Sequence, residues 1–468
     1  MDYQEFFQKA TGRPPYPYQV RLATEPWPDL LDIPTGLGKT AAVTLAWLWK
    51  RHTERGLTPR RLVYCLPMRV LVQQTYRAVG EWLAKLETEL GKDPPTVHLL
   101  MGGEAEQRWD ERPSEPSILI GTQDMLISRA LNRGYGMSRY RWPVHFAQLN
   151  NDCLWLFDET QLMGVSVETS AQLDGLRTRF GTLLPTRSLW MSATLQREQL
   201  ETVDHPSPAS GWHRLALGDR DLGDSRVLER TQASKALEKS HLVLDKAGKS
   251  AYAADLAKWV NEHHKSGTLT LVVVNTVDRA QEISGALRKL KVEHMLLHSR
   301  YRPAERRPIE ERLPELKEGI LVSTQVVEAG VDLSARLLVT ELAPWSSMVQ
   351  RFGRCNRYGE QAGASVFWMD ILDVPAPYEA EDLDRARHTL VGLSDASLTT
   401  VRKVHVETPV PVRPILRAKD LVDLFDTTPD LSGGDIDVSM YIRESEDVDV
   451  QVYWREWPSG RPDDQLPA

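Results

Sequence analysis

The chain has 468 residues, of which 41% are hydrophobic and 26% are charged, and its formal net charge is −8. This balance excludes a disordered or fibrous protein, and the length is too great for one core, so we expect two or three domains. The net charge argues against a nucleic-acid partner, but a local basic cleft is sufficient for binding and is compatible with an acidic outer surface.

The sequence shows no signal for export and no segment that could span a membrane. Residues 1–5 lack the basic and apolar regions of a signal peptide, and the longest apolar run, near residues 41–49, is too short to cross a bilayer. We therefore expect a cytoplasmic protein with no membrane contact. The cysteines Cys65, Cys153 and Cys355 are far apart, which indicates neither a zinc site nor a disulfide framework.

Short apolar runs separated by helix-like segments recur along the chain. Runs without strict alternation are typical of strands buried on both faces of a parallel sheet. The predicted strands are residues 62–65, 98–101, 118–120, 153–157 and 189–191, and then 271–274, 295–297, 320–322, 337–339 and 365–369. The repeated pattern predicts an α/β protein with two parallel sheets.

A stretch rich in proline, serine and glycine at residues 205–211 separates the two sets of strands. It predicts a first domain over residues 1–210 and a second over residues 211–372. After residue 373 the strand pattern weakens and acidic residues and prolines become common. Residues 373–468 are therefore predicted to form a smaller accessory segment.

A glycine-rich loop lies between an apolar segment and the helical run at residues 41–50. In this context glycines turn backbone N–H groups toward phosphates, and the helix N-terminus adds partial positive charge. Lys39 is predicted to reach the β- and γ-phosphates of ATP, and the Thr40 hydroxyl to ligate Mg²⁺. The predicted loop residues are Pro34, Thr35, Gly36, Leu37, Gly38, Lys39 and Thr40.

An acidic pair, Asp158 and Glu159, closes the predicted strand at residues 153–157. Ligands of open α/β sheets gather at the carboxyl ends of strands, so both acids are expected to face the nucleotide. Asp158 is predicted to hold Mg²⁺, and Glu159 to polarise the attacking water. The phosphate loop and the acidic pair together predict the cofactors ATP and Mg²⁺.

With these sites in place the chain resembles the superfamily 2 helicases, because further motifs follow in the order of that family. They are Gln19, residues 67–74 with Arg69, residues 121–124 with Thr122, residues 192–194, residues 273–276 with Asn275, residues 322–332 with Thr324, Gly330 and Asp332, and residues 350–359 with Gln350, Arg354 and Arg357.

The resemblance implies two tandem RecA-like domains with ATP bound between them. It implies that Arg354 and Arg357 are arginine fingers. The planar guanidinium of such a residue can stabilise the charge that develops on a transferred phosphoryl group. It also places Gln19, Gly330, Asp332 and Gln350 at the nucleotide. Candidate contacts to a nucleic-acid backbone are Arg69, Thr122, Asn275, Ser299, Arg300 and Thr324.

A narrower resemblance is to the CRISPR-associated helicase–nuclease of type I interference systems, in particular its I-U or I-G branch. It rests on residues 157–164, 139–143 and 298–302, and on the tail residues 425–431 and 435–438. The family's acidic box ends in His, whereas Gln161 stands here, so an amide is expected to sense the γ-phosphate without titrating. The sequence contains no His-Asp dipeptide, so we expect an HD-type nuclease to be a separate protein or a part missing from this chain.

By resemblance the function is an ATP-dependent 3′–5′ single-strand DNA translocase or helicase in CRISPR interference, working with a guide-RNA surveillance complex. Two alternatives remain open from the residues. One is an RNA helicase or remodelling ATPase of the same superfamily, since the motifs do not reveal a 2′-OH contact. The other is an ATP-gated clamp that holds nucleic acid and recruits a nuclease.

Overall fold

The structure is a computed structural model that describes residues 1–91, 93–102, 108–192, 197–406, 412–426 and 436–444. Its strands are β1 Leu30–Asp32, β2 Arg61–Leu66, β3 Thr96–Leu100, β4 Ser117–Thr122, β5 Cys153–Asp158, β6 Arg187–Met191, β7 Arg214–Ala216, β8 Ala236–Leu244, β9 Leu269–Val273, β10 Met295–Leu297, β11 Gly319–Ser323, β12 Leu337–Glu341 and β13 Ser365–Ile371.

Helices connect these strands and cover both sheets. They are α1 Tyr3–Thr11, α2 Pro17–Thr24, α3 Lys39–Thr53, α4 Arg69–Lys85, α5 Glu87–Leu90, α6 Gln123–Ala130, α7 Trp142–Leu149, α8 Ser166–Phe180, α9 Asp219–Leu222, α10 Ser225–Thr231, α11 Lys249–His263, α12 Val277–Lys289, α13 Pro303–Arg312, α14 Trp345–Phe352, α15 Ala380–Val391, α16 Leu398–Val401 and α17 Ala418–Leu424.

Seven of the described strands form the first sheet, in the order β3-β4-β2-β5-β6-β1-β7, and all neighbouring pairs are parallel. Parallel strands put their carboxyl ends at one edge. The strand β6 lies between β1 and β5. The loop after β1 and the acids after β5 therefore flank the residues that follow β6. This order brings the predicted nucleotide residues of the first domain together.

The second sheet of the described chain has six strands in the order β10-β11-β9-β12-β13-β8, again all parallel. The strands β9, β11 and β12 are central and almost fully buried. Their carboxyl ends lead into the motifs at Asn275, Thr324 and α14. The two all-parallel sheets covered by helices confirm the predicted fold of two tandem RecA-like domains.

The first sheet continues past the predicted boundary at residue 210, because β7 pairs with β1 through Leu30–Arg214 and Leu31–Leu215. The second sheet starts at β8, so α9 and α10 form the link between the domains. Periodicity alone gave no sign of β7, which has three residues. The proline-rich stretch at residues 205–211 is instead a loop within the first domain.

The predicted accessory segment at residues 373–468 divides between the two domains. The helix α15 and the residues Ala396 and Val401 join the core of the second domain. The later residues return to the first domain: Leu416, Leu424, Val438, Tyr441 and Ile442 are buried in one of its core clusters. We call the described residues 436–444 the C-terminal strap. Residues 445–468, with the aromatic run at 453–457, lie outside the described residues.

No helix within the described ranges has both the length and the apolar character that crossing a membrane requires.

Candidate nucleotide and nucleic-acid site

The phosphate loop connects β1 to the first turn of α3. Gly36 and Gly38 have φ of 85° and 74°, a left-handed conformation that residues with a Cβ rarely adopt. Gly38 is the N-cap of α3, so Lys39 and Thr40 open a 15-residue helix. The N-terminus of such a helix carries partial positive charge, and its free N–H groups suit a phosphate.

Lys39 is buried in this loop, with 7% of its surface exposed. Among the described residues its Nζ has no hydrogen-bond partner. A buried ammonium without a hydrogen-bond partner is costly, and phosphate oxygens would supply the missing acceptors. The loop residues Pro34 and Leu37 are both buried, and the Leu37 carbonyl accepts a hydrogen bond from the Tyr18 hydroxyl at 2.7 Å.

The acidic pair lies beside Lys39 at the end of β5. The Tyr64 hydroxyl on β2 donates to Asp158 Oδ2 at 2.8 Å and also interacts with Thr40. Burial raises the pKa of Asp158 although the charge of Lys39 opposes the shift. Burial has the same tendency at Glu159, but Lys39 and a hydrogen bond from Gln161 outweigh it and lower the pKa of Glu159. Glu159 is therefore charged and can orient a water.

Thr40 and Asp158 offer one hydroxyl and one carboxylate, which are oxygen ligands of the kind Mg²⁺ prefers together with waters and phosphate oxygens. The Tyr64 hydroxyl interacts with both side chains, so the two oxygens lie close together. The raised pKa of Asp158 is that of a buried carboxylate whose charge a nearby cation would stabilise. The donor set therefore fits magnesium.

Gln161 connects the acidic pair to the end of β6. Its Nε2 donates to Glu159 Oε2 at 2.5 Å, and its Oε1 accepts a hydrogen bond from Ser192 Oγ at 2.7 Å. Gln161 thus connects the side chain of Glu159 to that of Ser192, which follows β6. Ala193 and Thr194, the rest of the predicted coupling motif, lie outside the described residues.

Gln19 on α2 lies against the phosphate loop. Its Oε1 accepts the Tyr16 backbone N–H at 2.8 Å, and its Nε2 lies 3.2 Å from the Gly38 carbonyl oxygen and 3.4 Å from that of Leu37. Both ends of the amide are thus engaged by backbone groups, and Gln19 supports the loop directly.

The second domain brings its arginines to the same cleft. Arg357 lies over the phosphate loop, with its Nε 3.5 Å from where a Cβ on Gly36 would be. Its Nε is also 3.1 Å from Asp332 Oδ1. Arg354 is buried, which lowers its pKa to about 9, and the charge of Arg357 acts in the same direction. Both guanidinium charges act on Glu159 across the cleft.

A cavity of about 1250 Å³ joins these residues of the two domains. Its lining includes most of the predicted nucleotide residues, namely Gln19, Thr35, Gly36, Gly38, Lys39, Thr40, Asp158, Glu159, Gly330, Asp332, Arg354 and Arg357. Gln350 is buried in α14 and does not line the cavity. Such a volume accommodates a nucleoside triphosphate.

Gly330 also forms a contact between the domains. Its φ is 74°, and its carbonyl accepts a hydrogen bond from Gln74 on α4. A Cβ on this glycine would approach Val70 Cγ1 at 3.0 Å. The predicted nucleic-acid helix of the first domain therefore touches the nucleotide motif of the second.

The predicted nucleic-acid residues fall into two groups. Arg69, at the start of α4, and Ser299 and Arg300, after β10, are exposed. Arg300 forms an exposed ion pair with Asp278 at 2.5 Å. Thr122 and Thr324 are buried beside the ends of β4 and β11.

Asn275 is placed inside the second domain. Its Oδ1 accepts from Arg351 Nη2 at 2.9 Å, and its Nδ2 donates to the Leu342 carbonyl at 2.7 Å. Both ends of its side chain are thus engaged within the protein, so the structure gives Asn275 a supporting position.

Sequence analysis missed Arg351, the centre of that buried network. Arg351 Nε donates to Glu328 Oε1 at 2.8 Å, and Nη1 donates to Thr340 Oγ1 at 2.9 Å. It therefore ties the motifs around Asn275, Thr324 and Arg354 into one unit. A fully buried arginine needs such partners, and its place between Gln350 and the two finger candidates was the available signal.

Arg230 on α10 was also missed, because linker residues carry no motif. It donates to the Gly36 carbonyl and lies 4.9 Å from the ring centroid of Tyr358 in the second domain. The link between the domains therefore contacts both walls of the cavity.

Comparisons with known proteins agree with this geometry. The DEAD/DEAH box helicase family matches residues 28–203, and the family described as CRISPR-associated nuclease/helicase Cas3, C-terminal, matches residues 266–360. A putative CRISPR-associated nuclease/helicase Cas3 of Myxococcus xanthus is 28% identical over 415 residues, which cover 84% of this chain and 50% of that protein.

Solved structures show the same fold. T. fusca Cas3 with AMPPNP aligns with a TM-score of 0.60 at 18% identity, over 90% of this chain and 53% of that one. The DUF1998 helicase MrfA bound to DNA aligns with a TM-score of 0.58 at 19% identity, over 84% of this chain and 53% of that one. The chain thus spans about half the length of these relatives.

Proposed function

We propose that this chain, a superfamily 2 helicase related to Cas3, is an ATP-driven motor that moves 3′–5′ along single-stranded DNA during CRISPR interference. The observation that carries the proposal is the arrangement around Lys39. Its buried Nζ has no partner among the described residues, and Glu159 beside it faces Arg354 and Arg357 from the other domain.

In the proposed cycle ATP binds with its phosphates at the N-terminus of α3. Lys39 would contact the β- and γ-phosphates, and Thr40 and Asp158 would hold magnesium, which would neutralise phosphate charge when bound. Glu159 orients the attacking water, and Arg357 stabilises the charge that develops on the transferred phosphoryl group. Arg354 is held by the carbonyls of Val327 and Glu328 at 2.7 Å and keeps the loop of Arg357 in position.

Coupling to movement is proposed to run along two routes. Gln161 links Glu159 to Ser192, and Gln74 links α4 to Gly330. Loss of the γ-phosphate then changes contacts at both domains, and the cleft opens. Nucleic acid would be gripped by its backbone at the exposed side chains of Arg69, Ser299 and Arg300, with Thr122 and Thr324 beside them.

The proposed substrate is the strand displaced when a guide-RNA complex pairs with its target. Support comes from the Cas3 relatives and from a structural neighbour whose crystal contains DNA. The guide-RNA surveillance complex and an HD-type nuclease are the proposed partners, the latter either a separate protein or a part absent from this chain.

The first experiment measures ATP hydrolysis without nucleic acid, with single-stranded DNA and with single-stranded RNA. Lys39→Ala is the inactive variant, and Lys258→Ala, an exposed lysine on α11, is the matched control. We expect strong stimulation by DNA in the wild type and the control, and none in Lys39→Ala. Equal or greater stimulation by RNA would support the RNA helicase, and no stimulation by either would contradict the motor.

The second experiment separates a motor from a clamp and tests polarity. Strand displacement is measured on duplexes with a 3′ or a 5′ single-stranded overhang, with ATP or a non-hydrolysable analogue. We expect displacement only with ATP and only from the 3′ overhang. Tight binding with either nucleotide but no displacement would favour the ATP-gated clamp, and displacement from the 5′ overhang would reverse the proposed polarity.

A further inference from the structure

Two consecutive residues at the end of the link between the domains contact the loop that follows α14. Ser234 and Lys235 lie between α10 and β8. The Ser234 carbonyl accepts a hydrogen bond from Asn356 Nδ2 at 3.1 Å, and Lys235 Nζ donates to the Phe352 carbonyl at 2.9 Å. We call residues 353–357 the finger loop. The two contacts therefore hold this loop near both of its ends.

Asn356 stands between the two arginines of the finger loop in the left-handed region of the backbone, with φ of 43°. Asparagine adopts this conformation more readily than most residues with a Cβ. Its side chain is buried, and its Oδ1 accepts a hydrogen bond from the Gln361 backbone N–H at 2.9 Å. The backbone turn and both ends of the amide thus fix the direction in which the next side chain, that of Arg357, leaves the loop.

Lys235 is buried, with 5% of its surface exposed. Burial lowers its pKa, and the charges of Arg357 and Arg354 act in the same direction, although Cys355 and Asp395 act to raise it. Its hydrogen bond to the Phe352 carbonyl is the one that its ammonium makes within the described ranges. A buried ammonium with a single neutral acceptor is a cost to folding, so a contribution to stability does not explain its position.

The same segment of chain also contacts the phosphate loop. Arg230, one turn before these residues on α10, donates to the Gly36 carbonyl. A Cβ on Gly359, just after the finger loop, would collide with the Glu229 carbonyl oxygen of α10, so the two backbones approach closely. The link between the domains is therefore in contact with the phosphate loop and with the finger loop over a few consecutive residues.

We propose that Asn356 and Lys235 are positioning residues for Arg357, which fasten the finger loop to the link between the domains. The inference rests on the proposed ATP site and deepens it: neither residue touches the nucleotide, and both act through the direction of the Arg357 guanidinium. A displacement of about 1 Å in a group that acts on the transition state costs about 10²-fold in rate. Loss of an arginine finger costs ~10³-fold or more. Removal of one contact to the loop should therefore cost less than removal of the finger.

The test measures the turnover number and KM for ATP with saturating single-stranded DNA, together with denaturant unfolding. Lys235→Met keeps a long apolar side chain and removes the donor to Phe352. Asn356→Asp keeps the acceptor for Gln361 and tolerates the left-handed backbone, but places an oxygen against the Ser234 carbonyl. The matched controls are Lys265→Met and Asn261→Asp, two exposed positions in the second domain.

We expect each variant to lower the turnover number by about 10- to 100-fold. The KM for ATP should stay within about threefold of the wild type, because the finger acts on charge that develops during the reaction. Lys235→Met is expected to unfold at the same denaturant concentration as the wild type or a higher one, because an apolar side chain replaces a buried ammonium. A residue with a purely structural role would lose stability and turnover together.

A double-variant cycle tests whether the effect passes through Arg357. In the background of Arg357→Ala, Lys235→Met and Asn356→Asp are expected to cause no further loss of turnover, since no finger remains to be positioned. The controls are expected to have wild-type turnover and unfolding.

Three outcomes would overturn the inference. They are turnover within about threefold of the wild type in either variant, a rise in KM that accounts for the loss of catalytic efficiency, and an equal loss in the Arg357→Ala background. Normal turnover in both variants with a strong loss in Arg357→Ala would remove the positioning role and leave the motor proposal intact. Wild-type turnover in Arg357→Ala would remove the finger assignment and the inference with it.

Discussion

Arg354 and Arg357 stand three positions apart in one loop, yet they have different surroundings. Arg354 is buried and donates to two backbone carbonyls of its own domain. Arg357 faces the phosphate loop, and its ion-pair partner Asp332 has a side chain that is 60% exposed. An exposed pair of this kind is weak. Arg357 is therefore the arginine that can turn toward a γ-phosphate.

Arg357→Ala is expected to lower the turnover number of DNA-stimulated ATP hydrolysis by about 10³, with a small change in KM, because the finger acts on charge that develops during the reaction. Arg357→Lys should restore little activity, since a lysine lacks the planar fork. Steady-state kinetics with Arg385→Ala, on the surface of α15, as the control would check this. Activity of Arg357→Ala within about threefold of the wild type would contradict the assignment.

Single residues were predictable where their chemistry is carried by neighbours in the sequence. The loop at Lys39 and the acids at Asp158 could be assigned because glycines, a helix start and a strand end are local signals. The positions of Tyr64 and Asn275 could not be foreseen, because their partners lie about 66 to 94 positions away in the chain. Side-chain orientation there depends on strand order, which no local pattern encodes.

Among the elements, strands buried on both faces were predicted from their apolar runs. The structure confirms these predictions for β2, β4, β5, β6 and the central strands of the second sheet. Others escaped for physical reasons. The strands β1 and β7 are three residues long and each contains a charged residue, whereas the equally short β10 is wholly apolar. The edge strand β8 has exposed residues along much of its length, so its sequence lacks a continuous apolar run.

The C-terminal strap is part of the first domain's core. Ser166 and Thr169 on α8 donate to the carbonyls of Ile442 and Tyr441 at 2.7 and 2.5 Å, and Arg443 Nη2 donates to Asp124 at 2.7 Å. The weakening strand pattern after residue 373 had predicted a separate accessory segment for this region. Its burial and backbone anchors give it a stabilising role in the domain that holds the phosphate loop.

Ile442→Ala is therefore expected to destabilise the first domain by about 2–5 kcal/mol, since Ile442 is fully buried and its loss leaves a cavity. Ile442→Val should cost about 0.5–1.5 kcal/mol. Denaturant unfolding of both variants, with the exposed Val422→Ala on α17 as the control, would measure this. A change for Ile442→Ala no larger than that of the control would show that the strap is dispensable for folding.

The helix α7 contains a buried titratable group. Burial lowers the pKa of His145 to about 4, although Asp110, with Oδ2 3.3 Å away, acts to raise it. Arg129 and Arg141 also face this imidazole and lower its pKa further. In an unfolded chain a histidine titrates near pH ~6.5, so between about pH 6.5 and 4 the unfolded state binds a proton that the folded state does not.

The free energy of unfolding of the first domain should therefore fall as the pH falls through this window. We expect a loss on the order of 2 kcal/mol between about pH 7 and pH 5 from this group. Denaturant unfolding at both pH values, for the wild type and for His145→Phe, isolates the contribution. Identical pH dependence in the two proteins would exclude His145 as its source.

At the scale of the whole molecule, the predicted nucleotide residues come from both domains and line one cavity between them. Sequence patterns predicted two domains, and the family motifs predicted that ATP lies between them. The side chains that join the domains were not predictable, because Gln74 and Gly330, or Arg230 and Tyr358, meet only through the packing of two separate cores.

Closure can be followed with fluorescent labels. All three native cysteines are buried, so labels can be attached to Glu87→Cys on α5 and Lys289→Cys at the end of α12, two exposed positions in different domains. We expect energy transfer between them to change when ATP and single-stranded DNA are added, and to stay constant when Lys39→Ala is also present. Constant transfer in every nucleotide state of the active protein would contradict a cycle of closing and opening.

The path of the chain has a mechanical consequence. The polypeptide enters the second domain through α10 and returns to the first domain between Arg402 and Arg413. The second domain is therefore joined to the first by two chain segments. The two passages touch, because Thr399 Oγ1 donates to the Thr231 carbonyl at 2.8 Å, and Arg402 lies 3.2 Å from Asp32, just before the phosphate loop. Two adjacent connections favour a hinge rotation of the second domain about them over a shear movement. In the proposed cycle, the second domain would therefore rotate along the same arc in each turnover.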